Sequence, residues 1–105
     1  MYSILITPAA ENDLVNFWLY IARDKPDAAD RVYQAAEDTF KTLVITPRIG
    51  MVYQSKRAQL KGVRFCPITK FQSYIIYYRE QPEGIEIIRV LHGHMDKQRH
   101  LEPEK

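Results

Sequence analysis

The chain has 105 residues, 46% hydrophobic and 27% charged, which is the composition of a globular protein with one modest core. It contains no apolar run of about 18 residues and no signal-peptide pattern, which argues against a membrane span or export. The single Cys66 excludes an internal disulfide, and without a Cys/His cluster a zinc site is not expected. We therefore expect one domain, residues 1–105, in the cytoplasm, with no metal, no cofactor and no membrane contact.

The net charge of +2 is unevenly distributed. Residues 1–46 carry four Lys or Arg against seven Asp or Glu, whereas residues 47–105 carry eleven against six. A basic segment of this kind attracts nucleic acid or an acidic protein segment, although a solvated basic loop is the alternative. Between Pro47 and Ser73 there is no acidic residue, and the basic residues are Arg48, Lys56, Arg57, Lys61, Arg64 and Lys70.

The first half of the chain predicts a strand and two helices. Residues 1–6 are β-prone, and Thr7 then offers a hydroxyl N-cap before Pro8 at the first helical position. After a short turn, Asp27 is the predicted N-cap of a second helix, which ends before Pro47. Both helices carry an apolar stripe, so we expect an antiparallel helical hairpin with one buried face. The stripes are Ala10, Leu14, Phe17, Trp18 and Ile21, then Ala29, Val32, Ala36, Phe40 and Leu43.

The second half predicts a loop over residues 48–61 and then three strands. Val63–Ile68 is the first of these strands, with a break or bulge near Pro67. Two runs rich in Ile, Val and Tyr, at Tyr74–Arg79 and Gly84–His92, flank a Pro-Glu-Gly turn and predict a hairpin. The order β-α-α-β-β-β predicts an α+β domain, an antiparallel sheet with the helical hairpin packed across one face.

The last predicted strand is apolar on both faces, which places it centrally in the sheet. Its alternation predicts one face with Ile85, Ile87 and Leu91 and another with Ile88 and Val90. Arg89 interrupts the first face. We expect its guanidinium to be desolvated and paired with an acid such as Glu80 or Asp96, and so to act in the fold. A direct role for Arg89 in a functional site is the alternative.

The chain resembles the ParE/RelE superfamily of bacterial toxins from type II toxin–antitoxin systems. The resemblance begins with "TPAAENDLVNFWLYIA" and "KPDAADRVYQAAEDTFKTL", and is strongest in "QSYIIYYRE" followed by "GIEIIRVLHGHMD". The RVLHG-x-x-D run after a Y-x-x-Y hairpin is similar to the ParE branch. The resemblance covers nearly the whole chain and implies the β-α-α-β-β-β toxin fold.

The RelE branch consists of ribonucleases that cut messenger RNA in the ribosome, a reaction that needs a base, an acid and cations for the phosphate. The resemblance puts Arg64 at a basic position of that branch. It puts Tyr74, and Gly93 or His94, where two arginines of that branch stand. Two expected cations are therefore missing. If the chain is a ribonuclease, its candidate catalytic residues are Arg64, Arg89, His92 and His94.

The ParE branch, by the same resemblance, binds DNA gyrase, blocks replication and is neutralised by a cognate antitoxin. It implies a growth-arrest toxin with no catalytic residues. A ribosome-dependent ribonuclease acting on messenger RNA and an interaction module without toxicity are the alternatives. We expect Tyr20, Tyr33 and Tyr53 to be exposed anchors for an acidic antitoxin segment that folds on binding. The candidate target-binding residues are Lys56, Arg57, Lys61, Arg64, His94, Lys97 and Arg99.

The C-terminal segment, His92–Leu101, gathers histidines and basic side chains and is expected to take part in recognition. Residues 96–101 are predicted to form a last helical turn. Since the segment contains no strand and almost no apolar stripe, we expect a chain without residues 95–105 to fold but to be less toxic.

Overall fold

The computed structural model describes residues 3–93 and 100–101 of the chain. Within them it shows two helices and a five-stranded sheet, in the predicted order apart from one additional short strand. The elements are β1 (Ser3–Ile6), α1 (Pro8–Ala22), α2 (Pro26–Ile45), β2 (Met51–Val52), a 3₁₀ turn (Ala58–Leu60), β3 (Val63–Ile68), β4 (Phe71–Gln81) and β5 (Gly84–His92).

The strands lie in the order β1-β5-β4-β3-β2 across the sheet. β3, β4 and β5 are antiparallel neighbours, β2 is antiparallel to β3, and β1 runs parallel to β5. The predicted α+β class is confirmed, and β5 is an internal strand of the sheet, between β1 and β4. Since β1 is parallel to β5, the sheet is mixed. Parallel neighbours need a long connection, and here both helices and the strands β2 to β4 lie between β1 and β5 in the chain.

The helix boundaries follow their capping residues. Thr7 caps α1, its Oγ1 accepting a hydrogen bond of 3.1 Å from the Ala10 N–H, with Pro8 at the first helical position as predicted. The second start was predicted incorrectly: Lys25 is the N-cap of α2 and Asp27 lies in the first turn. Since the fixed φ of proline suits the first helical position, Pro26 starts the helix two residues earlier than predicted.

The sheet is buried on both faces. The helical hairpin covers one face, where Leu14, Phe40 and Leu43 pack against apolar strand residues, in the first core. The second core, on the other face, consists of Tyr53, Leu60, Val63, Tyr77, Leu91 and Leu101. Burial on both faces explains why β5 is almost continuously apolar.

A β-bulge changes which face the residues of β5 occupy. Tyr77 pairs with Arg89 and Tyr78 with Ile87, which leaves Ile88 without a direct partner across the strand pair. An extra residue reverses the alternation beyond it. Val90 therefore joins Ile85 and Ile87 in the first core, and Leu91 joins the second. The faces predicted by strict alternation are wrong beyond this bulge.

The predicted loop 48–61 contains β2 and the 3₁₀ turn. Both are too short to show a hydrophobic period, so the sequence pattern misses them. The irregularity predicted near Pro67 is confirmed by a register shift between Pro67 and Ile68. β2 becomes an edge of the sheet, with β3 as its neighbour.

Candidate interaction surfaces

Arg89 forms a two-pronged ion pair with Asp13 of α1. Its Nε donates to Asp13 Oδ2 at 2.8 Å and its Nη2 to Oδ1 at 2.9 Å, and the Asp13 side chain is almost fully buried. These bonds raise the pKa of the guanidinium above its ordinary value. The prediction of an acidic partner was right in kind but wrong in residue, because Glu80 pairs with Arg48 at 3.1 Å. Asp96, the other predicted partner, lies outside the described residues.

Asp13 also covers the part of β5 that β1 leaves unpaired. β1 follows β5 only as far as Ile87, where the Thr7 N–H donates to the Ile87 carbonyl at 3.1 Å. Beyond that point, Asp13 Oδ2 accepts from the Val90 N–H at 3.0 Å, and Thr7 Oγ1 donates to the Ile88 carbonyl at 2.8 Å. The side chains of Asp13 in α1 and of its N-cap Thr7 thus take the place of a neighbouring strand. We call this stretch of β5, residues 88–90, the closed edge.

Sequence reasoning missed Asp13 as a key residue. The one available signal is its position three residues after Ala10 and four before Phe17, which puts a carboxylate on the buried side of α1. A buried acid needs hydrogen-bond donors and a cation, but its sequence position does not say which cation.

Arg64 is engaged by backbone carbonyl groups. Its Nη1 donates to the Gly50 carbonyl at 2.9 Å. Beside it, Tyr78 Oη donates to the Pro47 carbonyl at 2.8 Å and accepts from the Gly50 N–H at 2.9 Å. Burial raises the pKa of the Tyr78 phenol, and the hydrogen bond from Gly50 partly opposes this. Arg64 and Tyr78 together fix the chain between α2 and β2.

The candidate catalytic residues lie on two different strands. Arg64 is on β3 and Arg89 on β5, so β4 separates them, and two strand spacings amount to about 10 Å. His92 at the end of β5 packs edge-to-face against Tyr74, with ring centroids 5.1 Å apart. His94 lies outside the described residues. Of the candidates that the structure describes, both arginines are held by acceptors within the protein.

The candidate target-binding residues occupy a loop and the start of β3. Lys56 and Lys61 are exposed, whereas Arg57 and Arg64 are half-buried. Lys70, at the far end of β3, is roughly 17 Å away along the strand, so it does not share this surface. The remaining candidates, His94, Lys97 and Arg99, lie outside the described residues.

The outer side of the helical hairpin exposes a group of large apolar side chains. A groove runs between α1 and α2, and Trp18 Nε1 donates across it to Asp30 Oδ1 at 2.9 Å. Tyr20 is 71% exposed and Tyr33 is also exposed, as predicted. We call this region the helical surface; its groove is lined by Val15, Trp18, Leu19, Asp30, Tyr33 and Gln34.

The third predicted anchor, Tyr53, is instead 9% exposed. It belongs to the second core and packs edge-to-face on Tyr77, with ring centroids 5.9 Å apart. The prediction failed because the Tyr53 N–H donates to the Val63 carbonyl at 2.8 Å, which continues the pairing of β2 and folds the ring against the sheet. Tyr53 is therefore a core residue.

The C-terminal segment contributes to the second core. Leu101 is buried there, and Arg89 Nη1 donates to the His100 carbonyl at 3.3 Å. The expectation that residues 95–105 contain almost no apolar packing is therefore wrong. Of the last helical turn predicted over residues 96–101, residues 96–99 lie outside the described residues, and His100 and Leu101 are helical.

The family model described as the ParE toxin of the type II toxin–antitoxin system parDE matches residues 4–97. The class of this protein is therefore that of the toxins of type II toxin–antitoxin systems. It belongs to the ParE toxin family.

A solved structure titled as the chromosomal ParDE toxin–antitoxin system from P. aeruginosa has the same fold. The TM-score is 0.71 at 21% identity, over 88% of this chain and 96% of that chain. The comparison with curated proteins gave no match. In the part of the chain that the structure describes, no helix is long and apolar enough to cross a membrane.

Proposed function

We propose that this ParE family toxin inhibits DNA gyrase, cuts no RNA, and is neutralised by a cognate antitoxin. Family membership supports the toxin role and the choice of target. The proposal that the toxin cuts no RNA rests on one observation: Arg64 and Arg89 both donate their hydrogen bonds to acceptors inside the protein.

A ribonuclease must stabilise negative charge as it develops on the phosphate, which requires cations aimed at that phosphate. Arg89 donates to Asp13 and to the His100 carbonyl, so binding a phosphate would break a largely buried ion pair. Leaving one partner of such a pair alone costs about 3–5 kcal/mol. Arg64 is similarly held by the Gly50 carbonyl. A messenger RNA endoribonuclease is therefore the weaker alternative.

The helical surface suits an antitoxin segment. Tyrosine and tryptophan side chains are effective anchors at protein interfaces, and exposed apolar groups that lie together indicate a partner. Trp18, Leu19 and Tyr33 supply such groups around the groove between the two helices. A disordered antitoxin segment that folds on binding can cover a surface of this shape.

The basic residues are the proposed contact with gyrase or with the DNA that it holds. Lys56, Arg57 and Lys61 lie in the loop before β3, and the same role is proposed for His94, Lys97 and Arg99. Contacts of this kind weaken as salt concentration rises, because exposed charges are screened. Inhibition of gyrase should therefore decrease between low and high salt.

The test is a supercoiling assay with purified gyrase and the toxin separated from its antitoxin. We expect inhibition of supercoiling, no cleavage of ribosome-bound message, and little change in either result for His92→Gln or His94→Gln. Message cleavage that either substitution abolishes would contradict the proposal and make that histidine the general acid.

The antitoxin contact is tested by co-expression with the antitoxin. Leu19→Asp should weaken complex formation, because it puts a charge in the apolar groove of the helical surface. Leu5→Asp on β1 is the matched control, since Leu5 is 59% exposed and Leu19 is 53% exposed. Equal effects of the two substitutions would contradict this location of the antitoxin.

A further inference from the structure

A second apolar surface lies at the edge of the sheet, far along the chain from α1. Ile49 is 57% exposed, Met51 68% and Val52 51%. Three apolar side chains within four residues are thus more than half exposed to solvent, although two of them belong to the strand β2. We call these three residues the open edge.

The backbone of the open edge is held in place. Tyr78 Oη joins the Pro47 carbonyl to the Gly50 N–H, and Arg64 holds the Gly50 carbonyl. Gly50 itself is buried, and a Cβ there would lie 2.8 Å from the Phe65 carbonyl oxygen and too close to Tyr78 Oη. A surface fixed in this way loses little conformational entropy when a partner binds.

The open edge also presents backbone hydrogen-bonding groups. The Tyr53 N–H donates inward to the Val63 carbonyl, and in an antiparallel pair successive residues alternate between inward and outward. The N–H and C=O of Val52 therefore point away from β3. No strand lies beyond β2 in residues 3–93, so these groups are available for the addition of a strand.

The charge of the residues near the open edge indicates which kind of partner binds there. The chain between α2 and β3 has no acidic residue, and its basic residues are Arg48, which pairs with Glu80, and Lys56, Arg57 and Lys61. A second copy of the chain would bring two basic edges together, which like charges oppose. Nucleic acid matches the charge, but it leaves the apolar side chains and the strand edge unmatched.

We propose that the open edge binds an extended segment of another protein, with alternating apolar and acidic side chains, which adds to the sheet as a strand beside β2. Its apolar side chains would cover Met51 and Ile49, and its carboxylates would face the basic residues of the neighbouring loop. The inference goes beyond the proposed function, since it concerns the chemistry of the bound segment and holds whether or not gyrase is the target.

The test uses the full ¹⁵N-labelled chain and a synthetic peptide of alternating Val and Glu. We expect saturable shifts of the Met51 and Val52 amide signals. Two control peptides should produce no such shifts: one with Lys in place of Glu, and one with the same side chains but N-methylated backbone amides, which cannot pair as a strand.

Three results would overturn the proposal. The first is the absence of saturable shifts at the open edge with the Val/Glu peptide. The second is equal binding of the Lys peptide or of a DNA oligonucleotide at the same amides. The third is a shift of these amides with protein concentration alone, which would assign the edge to a second copy. None of these measurements depends on gyrase, so the result is separate from that of the supercoiling assay.

Two variants separate backbone pairing from side-chain contact. Val52→Pro removes the outward N–H, which an edge strand tolerates, and should abolish binding of the Val/Glu peptide. Val52→Thr keeps that N–H and the β-branched shape and should bind within about threefold of the original chain, a difference below 1 kcal/mol. If Val52→Pro does not fold, Met51→Glu replaces it and should weaken binding by about tenfold or more. Undiminished binding by the folded variant used would contradict strand addition.

Discussion

The closed edge and the open edge differ in whether their outward backbone groups have hydrogen-bond partners. On β5, Thr7 and Asp13 occupy the backbone groups of Ile88 and Val90, and the Asp13 charge is balanced by Arg89. On β2, the outward backbone groups of Val52 have no strand beside them within the described residues. An unpaired strand edge is a site for pairing with another chain.

Because of this difference, we expect the closed edge to contribute to stability and the open edge to contribute to binding. The closed edge joins α1 to β5 through the buried Asp13 carboxylate, and Arg89, its partner, also donates to the His100 carbonyl, so a change there affects several elements at once. The open edge is held from behind by Tyr78 and Arg64, while its outer side contacts nothing described. We therefore expect substitutions at the closed edge to alter folding, and substitutions at the open edge to alter partners.

The largest effect is expected for Arg89→Ala. It leaves Asp13 as a buried carboxylate with one remaining donor, and the free energy of unfolding should fall by about 3–5 kcal/mol. Urea denaturation measures the change. Arg48→Ala, which removes an exposed pair with Glu80, is the control and should cost less than about 1 kcal/mol.

The same variant tests the role assigned to Arg89. If Arg89→Ala keeps the urea midpoint of the original chain but no longer arrests growth, Arg89 acts directly in the functional site. In that case the closed edge is not primarily a stabilising feature.

A smaller loss is expected for Leu101→Ala. Leu101 is buried in the second core, and truncation of a buried leucine costs about 2–5 kcal/mol. We expect about 2 kcal/mol, the low end, because the Leu101 side chain keeps some contact with solvent at 7% exposure. Deletion of residues 95–105 should lower stability at least as much. A deleted chain as stable as the full one would show that Leu101 adds nothing to the fold.

The free energy of unfolding should fall at alkaline pH. Burial raises the pKa of Tyr78 and Tyr77, whereas in the unfolded chain both titrate near the ordinary value of about 10. Above about pH 10 the unfolded state therefore loses protons that the folded state keeps, and stability falls as pH rises. Urea midpoints measured at rising pH test this. Tyr78→Phe should reduce the slope, and an unchanged slope would exclude Tyr78 as its source.

The smallest effect on stability is expected at the open edge. Met51→Glu changes an exposed side chain, so the free energy of unfolding should change by no more than about 0.5 kcal/mol. Binding of the acidic Val/Glu peptide should nevertheless weaken. A loss of stability comparable to that of Arg89→Ala would mean that the two edges do not differ as described.

Local patterns were enough to predict most of the fold. The apolar stripes, the hydroxyl cap at Thr7 and the Pro-Glu-Gly turn act over a few residues, and the two helices and four strands predicted between residues 1 and 92 are present in the part of the chain that the structure describes. The faces of β5 were predicted incorrectly because one bulged residue, Ile88, shifts the alternation beyond it. A two-residue strand such as β2 has no period for a pattern to detect.

The partners of the candidate site residues could not be predicted, because they come from distant parts of the sequence. Arg89 and Asp13 are 76 residues apart, and Arg64 is bound by a carbonyl, a group that every residue has. The sequence shows that a buried arginine needs an acceptor. It does not show which acceptor the folded chain brings near.

Hydrogen exchange in the free chain tests the contrast between the edges most directly, by comparing the amides of Val90 and Val52. The Val90 N–H donates to a buried carboxylate, so it should exchange only when the fold opens broadly. The Val52 N–H points to solvent and should exchange at a rate close to that of an unprotected amide. Equal protection of the two amides, or faster exchange at Val90, would contradict the account.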